Sequence, residues 1–189
     1  MRAHRIASRF YENKVSLCRT VSDFLGDGLA LGQPGLVIAT PQHRDGVLSG
    51  LRARHVDVDK AEAAGDLLVL DAREVLAIVM LDGMPDATLF NTRVPAAIDR
   101  LCLGRRDCSI RAYGEIVDVL WQDGLTAAAI RLEILWNQLA MTREFSLLCG
   151  YAMGNFYKDA VMRDICAQHS HVIAADNPLN LRAGSVSIN

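Results

Sequence analysis

Lysine is nearly missing from this chain of 189 residues: Lys14, Lys60 and Lys158 are its lysines, and the remaining basic residues are arginines. Arginine suits planar, bidentate pairing, whereas the compact lysine ammonium is the group that phosphate-binding loops employ. Long apolar runs are missing too. The longest, Val75 to Leu81, is far shorter than the ~20 residues that a membrane-spanning helix needs. Neither sign of charge is in excess, and a formal net charge of -2 gives no electrostatic pull toward nucleic acid or anionic lipid. No direct nucleic-acid or membrane partner is expected. The arginines Arg2, Arg5 and Arg9 run into Tyr11-Glu12-Asn13-Lys14, where an export signal would need an unbroken apolar stretch. The cysteines Cys18, Cys102, Cys108, Cys149 and Cys166 are odd in number and lack C-x-x-C spacing. Such a pattern is expected of reduced core thiols in a cytoplasmic, reducing compartment. With no internal repeat and no Pro/Ser-rich linker, the expectation is a single domain over 1–175 and a loosely ordered tail over 176–189.

What is present alternates between two periodicities. Leu17, Val21, Phe24 and Leu25 share a helical face, and Gly26 and Gly28 are expected to close that helix. Leu36-Val37-Ile38-Ala39-Thr40 is short and apolar, like a strand buried on both faces of a parallel sheet. Pro41 ends it. Val47, Leu48 and Leu51 then sit at helical spacing, and Leu67 to Leu70 reads as a second buried strand. This βαβ unit places Thr40 to Arg44 and Asp71 on a common rim. Val75, Leu76, Val79 and Met80 suggest a short helix closed by the Asp82-Gly83-Met84-Pro85 turn. Asp86 can cap the next helix, which Pro95 is expected to kink or split. Ser109 to Tyr113 reads as a third strand. The stripe Leu125, Ala128, Leu132, Leu135, Leu139 marks the clearest helix, and Phe145 to Cys149 reads as a fourth strand. Residues Asn155 to Cys166 resemble a helix and His171 to Ala175 a last strand. The fold class implied is α/β, three-layer, with a mostly parallel sheet flanked by helices.

In nucleotide-binding α/β domains the first strand leads into G-x-x-x-x-G-K-[ST], whose amides and lysine hold phosphates. The corresponding stretch here is Thr40-Pro41-Gln42-His43-Arg44-Asp45-Gly46-Val47, with one glycine and no lysine between Lys14 and Lys60. Proline removes a further amide donor. A phosphate-binding loop is therefore disfavoured, although a helix N-terminus with Arg44 could still attract an anion. The alternative is that Asp45 simply caps the second helix while His43 and Arg44 lie on the surface.

The order Phe10-Tyr11-Glu12, Leu36 to Thr40 with His43-Arg44, Leu70-Asp71-Ala72, Asp82-Gly83 and Pro85-Asp86 resembles the MEDS sensory domain. So do Arg111-Ala112-Tyr113-Gly114-Glu115-Ile116-Val117, Leu132-Glu133-Ile134-Leu135-Trp136-Asn137 and Phe145-Ser146-Leu147-Leu148-Cys149-Gly150-Tyr151. The resemblance runs from about His4 to Val172. It implies a RecA/KaiC-like fold with a degenerate P-loop and a prokaryotic signalling role, with small hydrocarbon derivatives or metabolites as the sensed ligands. Such domains are often joined to a helix-turn-helix or kinase module. This chain has room for neither, so a separate partner, a histidine kinase or a transcription regulator, is expected.

The candidate ligand-binding residues are Thr40, His43, Arg44 and Asp71 on the strand rim, with Arg111, Tyr113 and Glu115 around the third strand's end, where open α/β sheets place ligands. Cys149 and Tyr151, two apart on one strand, share a face and could line the same pocket; packing is the plainer role for such a cysteine. Arg111 and Glu115 could equally pair with other charges structurally, and Trp136 reads as core. Cys166-x-x-His169-x-His171 offers potential metal ligands without a structural-zinc spacing. No metal, cofactor or catalytic group is expected. A ligand-free interaction module on a degenerate ATPase fold, or a nucleotide-binding enzyme with Glu115 as base, are the alternatives, and self-association stays open.

Overall fold

The computed structural model describes residues 5–11, 13–152 and 171–173. Among the described residues, eight strands and seven helices follow one another as β1 (Arg5–Tyr11), α1 (Lys14–Ala30), β2 (Gly35–Ala39), α2 (Pro41–Ala53), α3 (Val58–Ala63), β3 (Leu67–Asp71), α4 (Ala72–Val79), β4 (Met80–Leu81), β5 (Met84–Pro85), α5 (Ala87–Leu101), β6 (Ile110–Gly114), α6 (Ile116–Gln122), α7 (Thr126–Ala140), β7 (Phe145–Ala152) and β8 (His171–Ile173). Six strands form one sheet in the order β3-β2-β6-β7-β1-β8, every pairing parallel. The three-layer α/β expectation is met.

Alternation along the strands builds the two outer layers. Leu36, Ile38, Ile110, Ala112, Phe145, Leu147 and Cys149 face a core closed by α4 to α7. Val37, Ala39, Tyr113 and Leu148 face the opposite core, closed by α1 to α3. A strand with period-2 side chains that are apolar on both faces can only sit between two layers of helices. Trp136 anchors the larger core, edge-on to Phe90 with ring centroids 5.3 Å apart and to Phe145 at 6.2 Å.

Several sequence expectations are corrected. Helix α1 does not end at Gly26 or Gly28 but continues to Ala30. These glycines are bare because arginine side chains cross the helix there: an added Cβ would lie 2.5 Å from Arg54 Nε at Gly26 and 2.6 Å from Arg111 Cδ at Gly28. Helix α2 starts directly at Pro41 with Thr40 as its N-cap residue, so Asp45 is not the cap. Proline is well placed at N1, since that amide has no intrahelical partner to lose. Helix α5 runs unbroken through Pro95, whose ring is buried. Strand β3 is less enclosed than β2, because it is an edge strand of the six-stranded sheet. The Asp82-Gly83 turn closes a small antiparallel hairpin, β4 to β5. Strand β1 and helix α3 had no counterpart in the sequence reading, and the helix expected over Asn155 to Cys166 lies outside the described residues.

Cysteine pairing is also corrected. Cys102 and Cys108 form a disulfide, with Cα atoms 5.5 Å apart, across the turn from α5 to β6. Gly104 and Asp107, at φ 75° and 50°, fold that turn back on itself and bring the two thiols together despite their unremarkable spacing. Cys18 and Cys149 are free and buried, as expected of core thiols.

Candidate functional site

Chain direction decides where a cleft opens. After β2 the chain moves through α2 to β3 on one side, and after β6 it moves through α6 and α7 to β7 on the other. At such a switch the helices diverge and leave a crevice beyond the strands' C-terminal ends. The register puts Ile38 beside Gly114 and Ala39 beside Asp71, so Thr40 and Glu115 are the first residues past adjacent strands. A cavity of about 440 Å³ opens there, lined by Tyr11, Thr40 to His43, Glu115, Asp118, Val119 and Gln122.

Glu115 organises the cavity wall. It is 2% exposed, and its backbone amide donates to Ile38 O at 3.2 Å, extending the sheet by one bond. One carboxylate oxygen accepts the backbone N–H of Thr40 at the start of α2. The other meets His43 Nδ1 at 2.5 Å and accepts the Tyr113 hydroxyl at 3.0 Å. Burial by itself would raise this carboxyl. The bonds from His43 and Thr40 outweigh it and hold the group below its usual range. With Glu115 ionised, His43 Nδ1 is the donor of that pair.

This arrangement accounts for the degenerate loop in physical terms. A phosphate loop needs a stretch of chain with several free amides between strand and helix. Here Thr40 alone separates β2 from α2, Pro41 has no amide hydrogen, and the Thr40 amide is taken by Glu115. A carboxylate of the protein itself occupies the helix N-terminus, where the helix dipole favours negative charge.

Asp118, in the first turn of α6, is the second buried acid at 1% exposure. Its Oδ1 accepts the Ala152 amide at 3.2 Å. Its Oδ2 accepts Gln122 Nε2 at 2.7 Å and the Tyr11 hydroxyl at 3.3 Å. Burial raises its carboxyl above the usual range, the Ala152 and Gln122 bonds counteract this in part, and the nearby Glu115 charge adds to the rise. Burial likewise pushes the Tyr11 and Tyr113 hydroxyls up, helped by Asp118 and Glu115 respectively, so both remain donors. Tyr11 also stands edge-on to His43, ring centroids 5.6 Å apart. Gly150 makes room for the Tyr113 ring: a Cβ there would lie 2.9 Å from the Tyr113 hydroxyl.

Of the residues expected from sequence, the cavity wall gathers Thr40, His43 and Glu115, with Tyr113 directly behind Glu115. Arg44 points along the surface to Asp45 at 3.1 Å. Asp71 is spent on capping α4, accepting the amides of Arg73 and Glu74 at 2.8 and 3.2 Å. Arg111 lies at the other end of the sheet beside Gly35, where it donates to Phe24 O at 2.7 Å and Gln33 Oε1 at 2.9 Å and stacks on Phe24. Its placement near Glu115 in sequence is not a placement near it in space, because an extended strand separates the two ends. Cys149 and Tyr151 do share a face, but that face is the α4–α7 core, where the Tyr151 hydroxyl bonds Glu133. Tyr11, Asp118 and Gln122 were missed. Tyr11 falls in the unrecognised strand β1, and Asp118 sits between Val117 and Val119, inside a segment that reads as core.

The model of the MEDS family, described as the methanogen/methylotroph DcmR sensory domain, matches residues 7–170. Among solved structures, the chain is similar to a KaiC-like protein from the hyperthermophilic archaeon Pyrococcus horikoshii, with 12% identity and a TM-score of 0.61 over 90% of this chain and 70% of that one. At that identity the likeness concerns the fold alone. No curated protein sequence matches the chain.

Proposed function

The chain belongs to the MEDS family of sensory domains, and from that premise we propose that it is a cytoplasmic signalling module that binds a small organic ligand at the rim of β2 and β6. It would report occupancy to a separate histidine kinase or transcription regulator. The observation that carries this reading is the 440 Å³ cavity whose wall is a connected set of polar side chains, Tyr11–Asp118–Gln122 on one side and Tyr113–Glu115–His43 on the other. Concave sites with a few convergent polar groups are where small ligands bind. A ligand that displaced one of these partners would move the start of α2, through Thr40 and His43, and the start of α6, through Glu115 and Asp118. Both helices end on the protein surface, where a partner can read them.

We favour a binder over a nucleotide hydrolase because Glu115 occupies the position a phosphate would need and Pro41 withholds an amide. Calorimetry and thermal shift against small alcohols, amines, carboxylates and halocarbons, with Mg-ATP alongside, test the reading. Saturable binding of one of these organics that is lost in His43→Ala is expected. Tight ATP binding with turnover, or a folded protein that binds none of the organics, would sink it.

A further inference from the structure

The cleft has a sign of charge. Its described lining includes two carboxylates, Glu115 and Asp118, both more than nine-tenths buried, and no lysine or arginine. The arginines nearest in sequence are committed elsewhere: Arg44 to Asp45 on the surface, Arg111 to Phe24 and Gln33 at the far end of the sheet. The single group able to bear positive charge on the wall is His43, and it already faces Glu115. Asp118 is held by neutral donors, the Ala152 amide, the Gln122 side-chain amide and the Tyr11 hydroxyl. When ionised, it carries its charge in a partly desolvated cavity with no counter-ion among the described residues.

A buried carboxylate held by neutral donors is more stable when a cation comes to it than when left alone. The same wall repels anions twice. Its one site suited to them, the amide at the head of α2, is filled by Glu115, and the charge of Asp118 stands beside the opening. The Tyr11 ring, edge-on to His43, adds an aromatic surface of the kind that organic cations prefer.

We infer that the cleft takes a small protonated amine, its ammonium hydrogens donated to Asp118 and to the outer lone pairs of Glu115, with the hydrocarbon part lying along Tyr11, Pro41 and Val119. This rests on the reading of the rim as a ligand cavity and narrows it to one class. An ammonium adds charged donors at the lone pairs that these bonds leave open, and it supplies the missing counter-ion. An alcohol of the same shape supplies one donor and no charge, and a carboxylate meets only repulsion. Charge-assisted bonds are roughly twice as strong as neutral ones, so the ranking amine, then alcohol, then acid is a direct consequence of the wall.

The experiment is a calorimetric comparison on the full chain of n-butylammonium, 1-butanol and butyrate, three probes of nearly equal size that differ in charge. Butylammonium should bind at least about tenfold more tightly than butanol, a gap of ~1.4 kcal/mol, and butyrate not measurably. Asp118→Asn should erase most of that preference. A second variant guards against misfolding: Gln122→Lys places a tethered ammonium next to Asp118 from the partly exposed end of α6. It should abolish butylammonium binding while raising the melting temperature. If butanol or butyrate binds as well as butylammonium and His43→Ala removes that binding, the cavity stands and the amine assignment falls. Binding of none of the three to a folded protein would overturn the amine assignment, and if the wider organic panel also failed, the cavity reading with it.

Discussion

The Glu115 carboxylate caps helix α2 from 75 residues away in sequence, accepting the Thr40 amide with one oxygen and meeting His43 Nδ1 at 2.5 Å with the other. A cap normally comes from the residue at the helix start. Thr40 occupies that place, but its hydroxyl makes no capping bond. The cap is delivered from the residue after β6 instead, so the β2–α2 junction and the β6–α6 junction are tied to each other at the mouth of the cleft.

The two buried acids of that mouth should respond to pH in opposite senses. Glu115 has a lowered folded-state pKa. Its contribution is fully present above the unfolded value of about 4.3 and is lost as pH falls through the folded one. Asp118 has a raised pKa, so its ionisation opposes folding at neutral pH and that penalty disappears on acidification. Glu115→Gln should therefore lower stability at pH 7 by about 1–3 kcal/mol, with the gap to wild type narrowing toward pH 3. Asp118→Asn should leave stability at pH 7 unchanged or higher, again with the difference closing in acid. Urea denaturation at pH 7 and pH 3.5 checks both. An unchanged midpoint for Glu115→Gln at pH 7 would mean that the capping bonds contribute nothing.

Gly150 should be a positioning residue for the cleft although it lines no part of it. A methyl group there would come within 2.9 Å of the Tyr113 hydroxyl and 3.2 Å of its ring edge, in a buried layer that cannot expand freely. Gly150→Ala should displace the Tyr113 ring, break its bond to Glu115 and cost about 1–3 kcal/mol. Gly150→Ala combined with Tyr113→Phe should cost less than the sum of the two single changes, because each removes the same hydroxyl contact. Strict additivity in thermal unfolding would count against this coupling.

The central strands and the longest stripes were legible because they are local signals. Leu36 to Ala39 and Phe145 to Cys149 are apolar on both faces, and the Leu125 to Leu139 stripe repeats at helical spacing. Strand β1 was not, because its stability comes from pairing with β7, Arg5 opposite Ser146 and Tyr11 opposite Ala152; its arginines carry no apolar pattern of their own. Part of the cleft was visible for the same reason. Thr40 and Glu115 follow recognisable strands, so sheet topology alone brings them together. Asp118 and Gln122 enter through the rotation of a two-turn helix, and Tyr11 through β1. Arg111, Cys149 and Tyr151 show the converse error: closeness in sequence to a rim residue does not survive the rise of an extended strand or its alternation between faces.

The Cys102–Cys108 bridge closes a loop of only a few residues, which in the chain-entropy account is worth about 2 kcal/mol. Reduction, or Cys102→Ser with Cys108→Ser, should lower the melting temperature by several degrees and loosen the turn between α5 and β6 without altering the cleft. Peptide mapping after alkylation checks the pairing: Cys102 and Cys108 should label only when reductant precedes the alkylating agent. The same measurement on protein taken directly from cells bears on the cytoplasmic assignment. A bridge already formed there would argue for an oxidising environment, since cytosolic thiols are kept reduced.

Removing the internal anion should leave a site for an external one. In Glu115→Ala the Thr40 amide and the His43 ring lose their acceptor, and the truncated side chain leaves a gap of carboxylate size at the head of α2. Formate and acetate match the lost group. A ligand that binds only the folded state stabilises it by RT ln(1 + [L]/Kd), about 1.4 kcal/mol at ten times Kd, so tens of millimolar formate should raise the melting temperature of Glu115→Ala by a few degrees. Wild type should not respond, because its own carboxylate fills the place. Phosphate should restore less than formate, since Pro41 offers no amide to its additional oxygens and Asp118 repels its higher charge. A formate response equal in both proteins would mean that the anion acts elsewhere, and that Glu115 does not occupy the anion position of this fold.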